Sequence, residues 1–295
     1  MPGHVLYMAP PGGGYARAAE RYAKAYGLDV VVQEFAPRKG QQQHDEKGWE
    51  KIVRLERGAS FILIWNGRQH RTPLIEEFAK RNGIPHAFIE WGMMPQKETL
   101  FVDPAGFNGK SVLNGPLSWV TSKDMERLEF VREQEQKKHP ISDEGFVLIP
   151  MQIQKDTQIL YNSPYRSMSE FVEYVHRFFP GTRIVVRQHP SSGGINLPDG
   201  VEAPSKQEAG DFLDHAARAS AVVGITSTCL FEAAILGKPV LALGDHPLRF
   251  HGPHDHDRVC AGALALRTRR DAPDLPSILE RFGVRPLGCD PIGGA

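Results

Sequence analysis

The sequence carries no net charge and very little cysteine, and both features exclude classes of protein. Lys plus Arg and Asp plus Glu each number 35, so no net field attracts the chain to nucleic acid. The three cysteines, Cys229, Cys260 and Cys289, are odd in number, widely spaced and without a C-x-x-C pair. This pattern argues against a disulfide framework or a structural zinc site and is typical of a reducing compartment.

Long apolar runs are also absent from the sequence. No run approaches the roughly 20 residues that cross a bilayer, and no basic start followed by an apolar segment marks a signal peptide. We therefore expect a cytoplasmic protein, with peripheral association at the inner face of the inner membrane left open. Its 295 residues, 41% of them apolar and 24% charged, fit a globular protein with room for two domains.

Short apolar runs alternate with segments of helical periodicity, which is typical of α/β folds built from βα units around parallel sheets. Strands are predicted at 5–8, 30–33, 61–65, 85–90, 146–150, 183–187, 221–224 and 240–243, and helices at 16–26, 49–57, 74–81, 168–179 and 207–217.

A densely charged segment, 122–139, separates the two halves of this pattern. Its few apolar residues stand at helical spacing, and we interpret it as a mostly solvated linker helix that ends before Pro140. The predicted domains are therefore 1–140, on the acceptor side, and 141–295, which binds the nucleotide. Two Rossmann-like halves joined in this way form the architecture called GT-B, with parallel sheets facing an interdomain cleft. A single large doubly wound sheet is the alternative.

Two strand ends in consecutive βα units indicate a nucleotide site. The polar loop 188–192 follows one strand, and Ser227 and Thr228 follow the next. Ligands bind beyond the carboxyl ends of parallel strands, and hydroxyls suit a phosphate. Ordinary capped loops are the alternative, but an S/T-x-x-E capping box fits poorly because Glu232 lies four residues after Thr228. Glu232 is thereby left for another partner, such as ribose hydroxyls.

A further polar loop follows the predicted buried strand 146–150. It holds Gln154, Lys155 and Asp156, which place hydrogen-bonding and charged groups at the carboxyl edge of a sheet. An Asp cap of the next helix is the alternative. The length of the loop counts against that alternative, because the helical pattern begins only near Ser167.

Glu90 and His189 also stand at the ends of strands. Beside Trp91, the carboxyl group of Glu90 could have a pKa raised by desolvation and act as a base, or it could pair with an arginine of the preceding loop. The imidazole of His189 could donate a hydrogen bond to a phosphate or to a leaving group, and neighbouring Arg187 adds a permanent positive charge for an anion. A solvated loop histidine is the alternative.

Two other segments carry weaker signals. The glycine-rich stretch 10–15 fits neither G-x-G-x-x-G nor the P-loop pattern, so it indicates a flexible acceptor-side loop or a tight turn. The histidine-rich stretch 245–257 matches no familiar ligand spacing, which favours a polar cleft-facing loop over a metal site. We therefore predict no metal site.

In their order and spacing, three segments resemble the bacterial capsule-polysaccharide biosynthesis family that includes retaining glycosyltransferases for the acidic sugar Kdo in β linkage. The segments are Ile89-Glu90-Trp91-Gly92 with Asp103-Pro104 and Asn108-Gly109-Lys110-Ser111; Pro150-Met151-Gln152 through Asp156-Thr157-Gln158; and Gln188-His189-Pro190 with Ser227-Thr228, Glu232 and Gly237-Lys238-Pro239.

The resemblance implies a GT-B enzyme that uses CMP-β-Kdo and retains the configuration of the sugar. It implies that Asp156 is the nucleophile, that Glu90 is the general base for the acceptor and that His189 assists the departure of CMP. The chemistry is consistent, because retention needs two displacements and hence a carboxylate that forms and releases a covalent glycosyl intermediate.

The resemblance also implies the groups that hold the donor. Ser227 and Thr228 would bind the single phosphate of CMP without a metal or other cofactor, and Glu232 would hold the ribose. The carboxylate of Kdo requires a cation, for which Lys155, Arg187 and Arg166 are candidates, with Gln154 as a neighbouring polar contact.

The main hypothesis is a glycosyltransferase that moves Kdo onto a lipid or glycan acceptor in capsule or surface polysaccharide synthesis. Its expected partners are the donor, the acceptor and a membrane polysaccharide-assembly complex, without nucleic acid. Three rivals stay open: a UDP-sugar epimerase or transferase on the same frame, a transferase for another CMP-sugar, and a non-catalytic nucleotide-sugar-binding subunit.

Overall fold

The computed structural model describes residues 3–9, 15–34, 54, 58–67, 72–153, 157–189, 196–205 and 210–291, with the backbone alone for 157 and 158. The strands are β1 His4–Ala9, β2 Asp29–Glu34, β3 Ala59–Trp65, β4 His86–Trp91, β5 Thr99–Asp103, β6 Phe146–Pro150, β7 Arg183–Arg187, β8 Val201–Glu202, β9 Ala221–Gly224, β10 Val240–Ala242 and β11 Arg267–Arg269. The helices are α1 Ala16–Ala25, α2 Thr72–Arg81, α3 Ser122–Lys138, α4 Thr157–Asn162, α5 Met168–Phe178, α6 Phe212–Arg218, α7 Cys229–Ile235, α8 Pro247–Phe250, α9 His256–Ala265 and α10 Leu275–Glu280.

The chain divides into two compact units. The first comprises Met1–Val112 with Leu266–Ala295, and the second comprises Leu113–Ala265. Each unit has its own sheet, which rules out the alternative of one large sheet. The boundaries fall after Val112 and after Ala265 rather than at 140, and the C-terminal segment returns to the first unit.

The first unit contains a six-stranded sheet in the order β11-β5-β4-β3-β1-β2. The strands β1 to β4 run parallel, whereas β5 is antiparallel to β4 and β11 is antiparallel to β5. The central strands β1 and β3 are almost wholly buried, as their unbroken apolar sequences predict for parallel strands. Because two reversals restore the direction, β11 ends at the same edge of the sheet as β4.

The periodicity does not predict β5 or β11. The β11 sequence, Arg-Thr-Arg, has no apolar alternation, and it becomes a strand only by pairing with β5, where Thr268 faces Leu100. Strand β5 is fully buried but short, and it stands among proline and glycine residues that indicate a loop. Both strands therefore depend on partners that are distant in the sequence.

The second unit contains a five-stranded sheet in the order β10-β9-β6-β7-β8, and every pair in it is parallel. From β6 the chain adds β7 and β8 on one side and then crosses to β9 and β10 on the other. The strand order thus reverses between β6 and β9. Ligands of open α/β sheets bind at such a switch point, beyond the carboxyl ends of the strands.

Helix α5 shows how the sequence builds this unit. Its apolar residues Met168, Phe171, Val172 and Val175 recur at helical spacing and are all buried in the core of the second unit. The hydroxyl of Ser167 caps the helix by accepting a hydrogen bond from the backbone N–H of Glu170 at 3.1 Å. The predicted start of this helix is confirmed.

Helix α3 is mostly solvated, as its charge density predicts, with only Asp124 and Leu128 buried, but it is not a linker. Its Arg132 donates to the carbonyl of Ile235 at 2.9 Å and pairs with Asp257, while Gln136 donates to the carbonyl of Leu236 at 2.9 Å. Fully buried Leu128 adds an apolar contact. The linker interpretation is wrong because long polar side chains hold this helix to α7 and α9 within the second unit.

The remaining predicted elements mostly match the structure. The strands at 146–150, 183–187 and 221–224 have the predicted bounds, and the helix predicted at 207–217 begins later, at Phe212. The helix predicted at 49–57 lies outside the described residues apart from Arg54. Of the helices that can be described, none combines the length and the apolar composition needed to span a membrane.

Candidate functional site

Gln152 and Thr226 join two strand ends at the switch point of the second sheet. Gln152 follows β6, Thr226 follows β9, and the two residues are only 8% and 4% exposed. The amide oxygen of Gln152 accepts from the backbone N–H of Thr226 at 3.0 Å, and its amide nitrogen donates to the Thr226 hydroxyl at 3.1 Å. Breaking this pair would leave buried polar atoms without partners. The pair therefore fixes the spacing between the loops that follow β6 and β9.

Sequence reasoning did not single out this pair. Gln152 stands within a quoted motif segment, but nothing in the sequence connects it with a residue 74 positions later. The available signal was a polar side chain shortly after a buried strand, one apolar residue beyond its end, in each of two loops. Such residues need buried partners, and the natural partners lie on the adjacent parallel strand.

Arg187 and His189 lie at the end of β7, next to the end of β6. Both are half-buried. The Arg187 guanidinium donates to the carbonyl of Gly210 at 2.7 Å. The backbone N–H of Met151 donates to the Arg187 carbonyl at 2.9 Å, which aligns the loop after β6 with the end of β7. The structure thus brings these two candidates to the edge that Gln152 occupies.

Ser227 and Thr228 lie on the other side of the switch point, after β9. The Ser227 hydroxyl accepts from the backbone N–H of Cys229 at 3.2 Å, so Ser227 caps the first turn of α7. Thr228 already has helical dihedral angles and makes no side-chain cap bond. Half-buried Glu232 follows one turn later and forms no capping box, as the four-residue spacing predicts.

The predicted nucleophile Asp156 and its neighbours Gln154 and Lys155 lie outside the described residues. The structure nevertheless corrects one premise about them, because α4 begins at Thr157 rather than near Ser167. Asp156 therefore stands directly before a helix, in the sequence position where an Asp commonly caps it. The catalytic and the capping interpretation of Asp156 predict different behaviour of a variant that can cap the helix but cannot act as a nucleophile.

The end of α4 lies against the strand end of β10. The backbone N–H of Asp245 donates to the carbonyl of Asn162 at 2.7 Å. A Cβ added at Gly244 would come within 2.6 Å of the same carbonyl oxygen, so only glycine allows this approach. Helix α4 is thus anchored at the carboxyl edge that carries the nucleotide-site candidates.

Glu90 ends β4 in the first unit, where its carboxylate accepts a hydrogen bond from the side-chain amide of Asn66 at 2.8 Å. Asn66 is buried and has a φ of 61°, a left-handed conformation that asparagine tolerates better than most residues. The amide holds the carboxylate in one orientation. The loop arginines that sequence reasoning offered as partners of Glu90, Arg68 and Arg71, lie outside the described residues.

Other residues of the first motif segment serve the fold of the loop after β5. The buried Asp103 carboxylate accepts from the Ser111 hydroxyl at 2.6 Å and from the backbone N–H of Ala105 at 2.8 Å. Burial raises the pKa of Asp103 to about 7, while these hydrogen bonds act in the opposite direction. Lys110 reaches buried Glu76 on α2 at 2.7 Å. Asp103, Ser111 and Lys110 therefore stabilise the loop through hydrogen bonds and an ion pair within the first unit.

Lys238 in the third motif segment also has a structural role. Its ammonium group donates to the carbonyls of Ser142 at 3.0 Å and Ala217 at 3.2 Å. Those residues precede β6 and β9, so Lys238 lies at the amino edge of the sheet, opposite Ser227. Desolvation by burial lowers the pKa of the Lys238 amine. Lys238 is therefore remote from the strand ends that carry the nucleotide-site candidates.

Three of the four histidines in the histidine-rich stretch contact backbone groups. The Nδ1 atom of fully buried His246 accepts from the backbone N–H of Leu248 at 3.2 Å and caps α8. His251 contacts the carbonyl of Leu113 at 2.7 Å, and His256 contacts that of Leu248 at 2.9 Å. In the part of the chain that the structure describes, no cluster of three His, Cys, Asp or Glu residues could hold a metal ion.

The Gln152–Thr226 pair predicts strong energetic coupling. We expect Gln152→Leu and Thr226→Val each to lower the free energy of unfolding by about 1–3 kcal/mol, because each leaves a buried partner unsatisfied. The double variant removes both partners of the side-chain bond and leaves only the backbone N–H of residue 226 unsatisfied, as Gln152→Leu does, so it should lose less than the sum of the two. Urea unfolding of the four proteins measures the coupling, and additive losses would show that the pair is not an energetic unit.

His246 predicts a pH dependence of stability. Desolvation by burial, together with the charge of His256, lowers the pKa of His246 to about 3. The unfolded chain then binds the extra proton below about pH 6.5, so the free energy of unfolding should fall by up to about 1.4 kcal/mol for each pH unit as the pH drops from there towards 3. His246→Asn keeps a capping oxygen and cannot titrate, so its unfolding free energy should vary less with pH.

Urea unfolding at pH 7, 6 and 5 is the measurement for His246. Exposed His254 supplies the control, because His254→Asn should keep the wild-type slope. The loss of packing between His246 and the Phe231 ring, 4.4 Å away, would lower stability equally at every pH and leaves the slope unaffected. If the unfolding free energies of His246→Asn and the wild type depended equally on pH, the lowered pKa of His246 would be contradicted.

Known proteins resemble this chain in sequence. Residues 120–272 match the family described as capsule polysaccharide biosynthesis protein. Protein FixF of Sinorhizobium fredii (strain NBRC 101917 / NGR234) is 27% identical over 237 residues, which are 74% of this chain and 56% of FixF. The chain thus spans little more than half the length of that relative.

Solved structures resemble the fold. KpsC of Thermosulfurimonas dismutans, described as a beta Kdo 2,7 transferase, superposes with a TM-score of 0.62 at 20% identity and covers 95% of this chain and 98% of that one. The KpsC structure described as a beta Kdo 2,4 transferase gives a TM-score of 0.57 at 16% identity, with 88% and 89% covered. The likeness confirms the predicted α/β fold class of GT-B type. Since the family match covers just over half of the chain and includes both motif segments that meet at the switch point, this protein belongs to the capsule polysaccharide biosynthesis family.

Proposed function

We propose that this protein is a glycosyltransferase that moves Kdo from CMP-β-Kdo to a lipid or glycan acceptor and retains the configuration of the sugar. The observation that carries the proposal is the Gln152–Thr226 pair, which joins the second and third motif segments at the switch point of a parallel sheet. The fold shared with two structures described as β-Kdo transferases supports Kdo as the sugar.

The phosphate of CMP would be held by His189, Ser227 and Thr228. The Ser227 hydroxyl accepts one bond from Cys229 and still has its own proton to donate, and the Thr228 hydroxyl takes no part in capping. A single phosphate can be satisfied by these donors, so we propose that the reaction needs no metal and no other cofactor. Glu232 would accept hydrogen bonds from the ribose hydroxyls.

The carboxylate of the sugar would be held by Arg187 and Lys155, with Gln154 as a polar neighbour. A guanidinium can bind a carboxylate through two parallel hydrogen bonds, which fixes its orientation as well as its charge. Arg187 extends from the end of β7, beside the strand end that leads to Asp156. The same edge would therefore supply contacts to both acidic groups of the donor.

The proposed reaction has two displacements at the anomeric carbon. In the first, a carboxylate oxygen of Asp156 bonds to that carbon while its bond to the phosphate oxygen breaks, and CMP leaves with the electron pair. In the second, an acceptor hydroxyl oxygen bonds to the carbon, the bond to Asp156 breaks, and Glu90 takes the hydroxyl proton. Two inversions amount to retention. The hydrogen bond from Asn66 would keep the Glu90 carboxylate in position.

The proposal includes the place of the reaction. We propose that the enzyme works in the cytoplasm, at the inner face of the inner membrane and in contact with a polysaccharide-assembly complex. Cell fractionation with detection of the chain, before and after a high-salt wash, tests this part independently of the chemistry.

Thr228 provides a test of the nucleotide site. We expect CMP to bind the wild type, and Thr228→Val to bind CMP about tenfold more weakly, because it removes one hydrogen bond to a charged group and keeps the shape of the side chain. Isothermal titration calorimetry measures both affinities. Thr182→Val is the matched control, since Thr182 precedes β7 at the opposite edge of the sheet. Binding of UDP but not CMP would favour the UDP-sugar rival.

Asp156 provides a test of the chemistry. Asparagine caps a helix as well as aspartate does but cannot act as the nucleophile, so Asp156→Asn separates the two interpretations. We expect Asp156→Asn to release CMP from CMP-Kdo on the order of a thousandfold more slowly, with unchanged affinity for CMP. CMP release and product mass are the measurements. Full activity of Asp156→Asn would show that Asp156 only caps the helix. CMP binding without turnover by the wild type would favour a non-catalytic nucleotide-sugar-binding subunit.

A further inference from the structure

Three aromatic side chains gather at the carboxyl edge of the first sheet. Trp65 ends β3, Trp91 ends β4 and Tyr15 directly precedes α1. The Tyr15 ring stacks on Trp65 with centroids 4.4 Å apart and planes 10° apart, and it meets Trp91 edge-on at 4.8 Å. Trp65 and Trp91 are 6.0 Å apart and nearly perpendicular. Together these rings form one aromatic cluster.

The members of the aromatic cluster differ in their exposure. Trp65 is only 5% exposed and forms a buried support. Tyr15 and Trp91 are half-buried and so present part of their surface to solvent. Buried clusters in a core need no exposed rings, whereas a pair of partly exposed aromatic rings on a rigid support is typical of a binding surface.

Arg270 adds a cation to the aromatic cluster. It follows β11, which ends at the same edge as β4, and its guanidinium carbon lies 5.9 Å from the centre of the Tyr15 ring and 5.8 Å from that of Trp91. The guanidinium donates to the carbonyl of Lys97 at 3.0 Å. Among the described residues it has no carboxylate within salt-bridge distance, in contrast to neighbouring Arg269, which pairs with Asp271 at 2.6 Å. An exposed guanidinium held beside aromatic rings can bind an anion through its remaining N–H groups.

We propose that Tyr15, Trp91 and Arg270 form a binding site for an acidic sugar of the acceptor glycan. One face of a pyranose ring carries mainly C–H groups and packs on aromatic rings, while its hydroxyls stay in water. The carboxylate of the same sugar would pair with Arg270. The site deepens the proposed function and rests on it only for the role of the bound sugar as acceptor. A neutral sugar would use the rings alone and bind more weakly.

The site is tested by binding of two probes to the full chain saturated with CMP. The probes are the methyl glycoside of Kdo, which is acidic, and methyl glucoside, which is neutral, and saturation-transfer NMR measures their dissociation constants. We expect Arg270→Gln to weaken binding of the acidic probe about tenfold and to leave the neutral probe unchanged. Trp91→Ala should weaken both. The affinity for CMP should stay the same in each variant.

Arg269→Gln is the matched control, because Arg269 is an adjacent exposed arginine that already has a carboxylate partner. Trp91→Phe keeps an aromatic ring and serves if Trp91→Ala does not fold. Equal binding of the acidic probe by the Arg270 and Arg269 variants would overturn the site. Probe binding by a wild type that releases no CMP from CMP-Kdo would uphold the site and refute the transferase, so the two failures are distinguishable.

Discussion

The buried contact between Gln152 and Thr226 fixes the geometry on which the candidate nucleotide site depends. Parallel strands place their carboxyl ends at one edge, but they leave the loops beyond that edge free to diverge. A side-chain amide that both accepts from and donates to the opposite loop removes this freedom, because neither loop can move without exposing an unsatisfied polar atom. Ser227 and Thr228 are the next two residues after Thr226, so the contact also positions their hydroxyls.

Burial and hydrogen bonding divide the motif residues into two groups. Asp103 and Lys238 are buried, and both are held by several partners of the protein itself. A buried ionisable group with that many partners stabilises a loop and is poorly placed to meet a substrate. Ser227 and Thr228 are half-buried and less committed. The motif pattern alone does not make this distinction, because it depends on burial and on the partners that the fold supplies.

The chain as a whole has no net charge, yet its individual charged side chains differ in how many partners they have within the protein. Arg132 donates to two carbonyls and pairs with Asp257, which anchors a charged helix to the second unit. Arg270 instead lies beside the rings of Tyr15 and Trp91 at a sheet edge, without a carboxylate partner among the described residues. The amino-acid composition cannot show that Arg132 and Arg270 have different roles, because these roles depend on partners more than a hundred residues away in the chain.

The sequence by itself determined the strands at 146–150, 183–187 and 221–224, the α/β class and the polar loops that follow these strands. Those features follow from local apolar runs and from the residues that end them. Tertiary structure alone decided the antiparallel strand β11, the attachment of α3 to the second unit, the pairing of Gln152 with Thr226 and the meeting of Arg270 with the aromatic cluster. Each of these depends on a contact between distant segments. The local periodicity of apolar residues does not indicate which distant segment a polar side chain will contact.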